Sequence, residues 1–420
     1  MTRKENKMVI RNEDIETLRS LAARYMEYAT TEKNDEKREL WRALNDMRMQ
    51  KPMLNIEQIP WDEMDVDGSL ICTVEDKYFR AIERTLRRLI YKWEHMPVDM
   101  VLNPYIILPR PVSNSGFGIK KQTVDTNSNQ RIYINLFEDQ LTCMEDLEKI
   151  KTPVLKLNPD REAEILEVAH SIFDGIAPFK WGGMIVNSGL WDHISTWKGV
   201  ENCYVDLIDQ PELIHAILDR YTNAHIALID QINELGVYDT VSNMCHCSYT
   251  FSDRLPSAKL DPEHTTTYDG WTCSQAQLFT SVSPETNEEF ELPYMSRLFE
   301  RYGSVYYGCC ERLDDRLHII DRMPNIRKIS CSPWSDREHF AANLPKKYIM
   351  SNKPNPSFLA TAVFDEDIIR KDIRRTISAA KEHGLGLEML LKDLSTVRNE
   401  PQRIWRWSEI ALEETINSVL

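Results

Sequence analysis

The sequence predicts an α/β fold, a (β/α)₈ TIM barrel carrying an N-terminal helical extension. Three observations predict it. From residue 100 onward, short apolar or β-branched runs alternate with helical stretches and lack hairpin turn signals, the pattern of parallel strands joined by crossover helices. The strand candidates number about eight over about 300 residues, which suits a barrel. No Gly-x-Gly-x-x-Gly or Gly-x-x-x-x-Gly-Lys run opens a helix, so a doubly wound nucleotide-binding sheet is disfavoured.

Residues 1–98 read as the helical extension. Asn12-Glu13-Asp14 offers a cap ahead of the amphipathic run Ile15–Tyr28, a second helix spans Asp35–Met49, and Val74–Trp93 gives a third, rich in Arg. The Arg-rich face suits a solvated surface or a homodimer contact. Lys51–Gly68, with Pro52 and Pro60, reads as irregular. Residues 99–420 hold the barrel, with strands expected at Met100–Leu108, Ile132–Leu136, Met184–Val186, Thr240–Met244, Ser304–Tyr307, Ile326–Ser330, Tyr348–Met350 and Leu387–Leu390. Helices are expected at Glu162–Phe173, Pro211–Leu235, Pro284–Tyr302, Asp336–Leu344 and Asp365–His383, with Ser283 capping the third of these.

Charge narrows the partners. Against 51 basic residues stand 66 acidic ones, a net charge of -15 that repels phosphate backbones and anionic lipid, so neither nucleic acid nor a membrane surface is expected. No stretch approaches the roughly 20 apolar residues of a membrane span. The charged Met1–Lys7 leads into Asn12-Glu13-Asp14 and not into an apolar run, so no signal peptide is expected. Nine cysteines, an odd number scattered along the chain, read as reduced thiols in a cytoplasm.

In a barrel the chemistry sits just after the strands. Those positions carry Cys309-Cys310-Glu311, then Cys331 with Trp334, then Lys353 and Asn355, then Lys392-Asp393, with Glu388 inside the last strand. Thiolate and carboxylate at one strand end suit Zn²⁺, which takes sulfur and oxygen ligands and keeps an open position where it is catalytic. Alternation along a strand lets only one of Cys309 and Cys310 face the mouth, and which of them does so rests on a one-residue register. The triplet Cys245-His246-Cys247 precedes Ser248–Gly270, a stretch that reads as a loop over the mouth ending at Asp269 and Trp271; His246 and Cys247 could each contribute one ligand, and the favoured reading makes them lid residues without chemistry.

Across roughly residues 180–415 the chain resembles the uroporphyrinogen decarboxylase superfamily. The resemblance rests on Gly182-Gly183-Met184-Ile185, Asn187-Ser188-Gly189-Leu190, Gly199, Asp209-Gln210-Pro211-Glu212-Leu213-Ile214-His215, the helix ending at Gly236, Ser283-Pro284 with Glu289-Phe290, and the strand before Cys309. The superfamily has the TIM barrel. Its decarboxylases carry an Arg-rich signature where this chain reads Asn103–Arg110 with Arg110 alone, so porphyrinogen decarboxylation is disfavoured. The similarity is nearer in kind to the zinc- and corrinoid-dependent methyltransferases, whose His-x-Cys motif is met here by Gly308 and Cys310 and whose last-strand cysteine is met by Lys392 and Asp393. The resemblance implies methyl transfer from a small O- or N-methyl compound to a corrinoid on a partner protein. It further implies zinc at Cys310, Glu311 and Cys331 (or Cys309), and catalysis by Glu311, Lys392 and Asp393. Asp269, Trp271, Trp334, Lys353, Asn355 and Glu388 would line the substrate. The alternative is a metal-free decarboxylase or lyase, with Lys353, Lys392 and Arg312 holding a small carboxylate.

Overall fold

The computed structural model describes residues 10–124, 136–257 and 259–418. Eight short strands pair in parallel ladders: β1 (Met53–Ile56), β2 (Ile106–Pro109), β3 (Phe179–Gly182), β4 (Trp271–Ser274), β5 (Ser304–Tyr307), β6 (Ile326–Cys331), β7 (Ile349–Asn352) and β8 (Gly386–Leu391). Six of them form one parallel sheet in the order β1-β8-β7-β6-β5-β4, curled into a half-barrel. β2 and β3 form a separate parallel pair, and single parallel bridges at Met184–Tyr238 and Val237–Thr265 lie between β3 and β4 in the chain. What the sequence reading takes as one closed barrel is thus, in backbone hydrogen bonds, a six-stranded sheet and a pair. Among the described residues no ladder joins β1 to β2 or β3 to β4.

Helices cover the outer face because each crossover is capped where the sequence allows it. Asp336 accepts from His339 N to start Arg337–Asn343, and Asp365 accepts from Asp367 N and Ile368 N to start Glu366–His383. Gly384, at φ 65°, ends that second helix and turns the chain into β8. Alternation along the strands then sorts the core. Val305, Tyr307, Ile329, Met350, Leu387 and Met389 pack outward with the helices Pro211–Leu235, Glu366–His383 and Gln402–Asn417. Trp271, Cys273, Tyr306, Ile349 and Leu390 join a second cluster with the helices Asn12–Ala29, Glu32–Asn45, Lys77–His95 and Pro159–Phe173. No described helix is long and apolar enough to cross a membrane.

Several sequence expectations change. Met53–Ile56 falls in the stretch read as irregular, yet it is fully buried and pairs with β8, so the N-terminal segment supplies a strand as well as helices. Its four residues follow Pro52 and are too few to show a period. β4 went unread because Trp-Thr-Cys-Ser is no apolar run. The strand placed at Thr240–Met244 is replaced by a hairpin of Met244–Cys245 with Ser248–Tyr249, turned by the positive φ of His246 and Cys247. Pro284–Tyr302 divides into Pro284–Phe290 and Leu292–Phe299, because Pro293 has no N–H to continue the first helix. The strand expected at Ile132–Leu136 lies outside the described residues except Leu136, which with Phe137 pairs antiparallel to Thr123–Val124.

Candidate functional site

β5 ends at Tyr307, and Gly308 follows at φ 91°. A Cβ built there would lie 2.5 Å from Leu313 Cδ1 and 3.0 Å from Ser330 Cβ, so both the conformation and the space call for glycine. Because the chain leaves the extended conformation at Gly308, strand alternation no longer separates the next two side chains. The Sγ atoms of Cys309 and Cys310 lie 3.5 Å apart. The expectation that a single cysteine faces the mouth gives way for this reason.

Glu311 holds the turn in place. Its Oε2 accepts from Cys309 N at 2.8 Å and its Oε1 from Ala276 N at 3.1 Å, joining the loop after β5 to the loop after β4. The side chain is buried, and burial pushes its carboxyl up to about 7. Both oxygens are committed to backbone donors, and the carboxylate that meets the thiols comes from another strand.

That strand is β8. Lys392 follows it, and Asp393 takes φ 58°, which turns its carboxylate back over the mouth. The Cys310 thiol donates to Asp393 Oδ2 at 3.3 Å, and Lys392 Nζ lies 3.4 Å from the same oxygen. Lys392 Nζ also donates to Cys309 Sγ at 3.0 Å and lies 3.4 Å from His246 Nε2. The hairpin turn delivers His246, whose ring sits 5.0 Å from that of Tyr306. One ligand atom each from Cys309, Cys310 and Asp393 falls within a 4.8 Å group.

Charge is unevenly distributed across this group. The Cys309 thiol is held well below the ordinary range, chiefly by the hydrogen bond with Cys310; burial opposes this, and His246 and Lys392 reinforce it. Cys310 is pushed up by the same bond. Burial lowers His246, but its hydrogen bonds with Cys273 and Cys309 more than reverse this. Burial likewise opposes the Lys392 ammonium, and Cys309, Cys247 and Asp393 outweigh it.

Beneath the mouth lies a second charged group. Lys328 and Glu388, both fully buried, pair at 2.7 Å. Ser248 Oγ donates to Glu388 Oε2 at 2.7 Å and Ser351 Oγ to Oε1 at 2.6 Å. Lys353 reaches the Tyr306 hydroxyl and donates to Ser351 Oγ at 3.1 Å, and burial pushes it down to about 8.

The remaining sequence candidates stand apart from the thiols. Cys331 is buried in the outward core, where burial pushes its thiol up to about 12. Trp334 is 68% exposed. Asn355 Oδ1 accepts from Ser357 N, and Asp269 accepts from Thr266 N and Oγ1 in a capping box. Trp271 is buried in β4, with Lys328 Nζ 5.5 Å from its ring centroid. Sequence reasoning set His246 aside as a lid residue and did not single out Cys273. The left-handed turn at His246 and Cys247 brings the imidazole beside Lys392, and Cys273 lies buried in β4.

No protein-family model and no curated protein matches the sequence. Among solved structures, the chain is similar to a methyltransferase from Methanosarcina mazei, at 12% identity over 90% of this chain and 97% of that one, with a TM-score of 0.46. A likeness that slight carries no argument about activity.

Proposed function

We propose that this chain is a methyltransferase that moves a methyl group from a small O- or N-methyl compound to a corrinoid carried by a partner protein, with zinc held by Cys309, Cys310 and Asp393. The same reading takes the half-barrel, the β2–β3 pair and the bridges at Met184 and Val237 as parts of one (β/α)₈ barrel, with this site at its C-terminal mouth. One observation carries the proposal: two thiols and a carboxylate from two strand ends converge. The donor set fits the metal. Two thiolates about 2.3 Å from one tetrahedral ion stand roughly 3.8 Å apart, and here the sulfurs are 3.5 Å apart before any adjustment.

Zinc so held would supply Lewis acidity toward the heteroatom that bears the methyl group. The protein's own groups do the rest. Lys392 keeps Cys309 anionic, and as the methyl group leaves it would give a proton to the departing heteroatom. Asp393 accepts from Cys310 and holds Lys392 in place. Glu311 keeps the two sulfurs in register by tying their loop to Ala276. His246, whose ring lies tilted 5.0 Å from that of Tyr306, orients Lys392 from its Nε2.

The test is metal content by mass spectrometry, wild type beside Cys310→Ala, followed by methyl transfer from methyl ethers or methylamines to a reduced corrinoid protein. About one zinc per chain, lost in the variant, supports the reading; equal zinc in both proteins sinks it. A specific observation favours a second reading, a metal-free decarboxylase or lyase. The buried Lys353 hydrogen-bonds hydroxyls and not a carboxylate, leaving its charge available to a substrate carboxylate. Metal-free wild type that turns over a small carboxylate without any corrinoid would favour it.

A further inference from the structure

We propose that Cys309 and Cys310 are also a redox-modification site, closed by peroxide into a disulfide between adjacent residues and reopened by thiols. The consequence for metal rests on the function proposed above; the bond itself does not. Four observations carry the inference. The sulfurs are already 3.5 Å apart, so closing to the roughly 2.05 Å of a disulfide needs a movement of only about 1.5 Å. Gly308, in the left-handed region, has already freed both side chains from strand alternation. Lys392 Nζ sits 3.0 Å from Cys309 Sγ, the setting in which a thiol reacts as its anion. Cys310 is the half-exposed member of the pair and Cys309 the buried one, so the second sulfur stands at the entrance, ready to resolve an oxidised first.

The chemistry balances with hydrogen peroxide as oxidant. The Cys309 thiolate attacks one peroxide oxygen, the O–O bond breaks, hydroxide leaves, and Cys309 becomes a sulfenic acid. The Cys310 sulfur then attacks Cys309 sulfur, forming the S–S bond; the sulfenic oxygen departs with the Cys310 proton as water. One thiolate, one thiol and one peroxide thus give one disulfide, one water and one hydroxide, and the two sulfurs lose two electrons to the peroxide. Adjacent Cα atoms are about 3.8 Å apart, whereas disulfides usually span roughly 4.4–6.8 Å. The ring is therefore strained, and strained disulfides have higher potentials and are readily reduced. This is the behaviour of a reversible switch and not of a structural bridge. Oxidation would take both sulfur donors from the metal in one step.

The experiment treats metal-free, full-length protein with hydrogen peroxide, alkylates the remaining thiols, digests, and weighs the peptide that carries both residues. The expected result is a peptide lighter by two hydrogens and carrying no alkyl group at either cysteine, restored to double alkylation by dithiothreitol. Cys310→Ser should lack the linkage. Full alkylation of both residues after peroxide, or a link from Cys309 to Cys247 or Cys273, overturns the proposal. In parallel, zinc-loaded protein is treated with peroxide in the presence of a chromogenic chelator, with metal release expected to track the linked peptide. A linkage in a protein that binds no zinc would remove the metal reading and leave this inference standing; zinc bound tightly by a protein that never forms the linkage would do the reverse.

Discussion

Two groups of buried charge share the inner face of this sheet, and they differ in how completely they are satisfied. The deeper one is closed: Glu388 receives Lys328, Ser248 and Ser351, and Lys328 also donates to Tyr249 O at 3.1 Å. The one at the mouth is open. Cys309, Cys310, Asp393, Lys392 and His246 share few protons among many acceptors, and Cys310 and Asp393 reach solvent. A charge pair with both carboxylate oxygens hydrogen-bonded holds strands together. A cluster with unfilled donor capacity is suited to accept an ion, a proton or a substrate. Because buried charge is costly unless compensated, the closed group can be read as architecture and the open one as the place of chemistry.

The largest effect should come from breaking the closed group. Glu388→Ala leaves the Lys328 ammonium buried without its partner and should cost about 3–5 kcal/mol in denaturant unfolding; a loss under about 1 kcal/mol would erase the distinction drawn above. The paired replacement Lys328→Met with Glu388→Leu should recover much of that loss, since an apolar pair carries no desolvation cost.

At the mouth the pattern should invert. Cys310→Ala should change stability by less than about 1 kcal/mol, as substitutions outside the packed core do, while removing metal. Lys392→Met should weaken zinc by about 10–100-fold, as loss of a group supporting a ligand does, read by competition with a chelator.

Glu311 lies between the two groups in kind, and pH sharpens its assignment. Its carboxyl is raised from the ordinary 4.5 to about 7, so the folded state favours the protonated form. The stability this contributes is fully present below about 4.5 and is lost as pH rises through about 7. Glu311→Gln should cost about 1–3 kcal/mol at low pH, where a backbone N–H loses its acceptor. That deficit should shrink as pH rises toward 8, because only the wild type titrates; parallel curves in thermal melts would count against the assignment. The smallest effect belongs to Trp334→Ala. With 68% of the residue exposed, a stability change within about 0.5 kcal/mol is expected by the same melts.

The comparison also shows why parts of the molecule were legible before the structure and others were not. β5, β6, β7 and β8 were found within one or two residues because each is an apolar run between helical stretches, and that pattern is local. The helix Pro211–Leu235 was found to the residue because Pro opens it and Gly236, in the left-handed region, closes it. β1 and β4 were missed because neither stands between helical stretches legible in the sequence: β1 follows Pro52 in a stretch read as irregular, and β4 follows a stretch read as a loop. The same split runs through the site. Cys309, Cys310, Lys392 and Asp393 could be named because they follow strands that could be named.

By itself, then, the sequence determined the alternation of strands and helices, the acidic surface and the reactive residues at strand ends. Only the tertiary structure decided which of those residues meet. Asp393 stands with the thiols where Glu311 had been expected. His246, read as a lid residue, comes from a tight turn to stand beside Lys392, and Cys331 packs into the outward core. The reason is geometric. Which side chain a strand end presents depends on one or two dihedral angles, here the left-handed turns at Gly308, His246 and Asp393, and on register with strands remote in the chain, as β1 with β8.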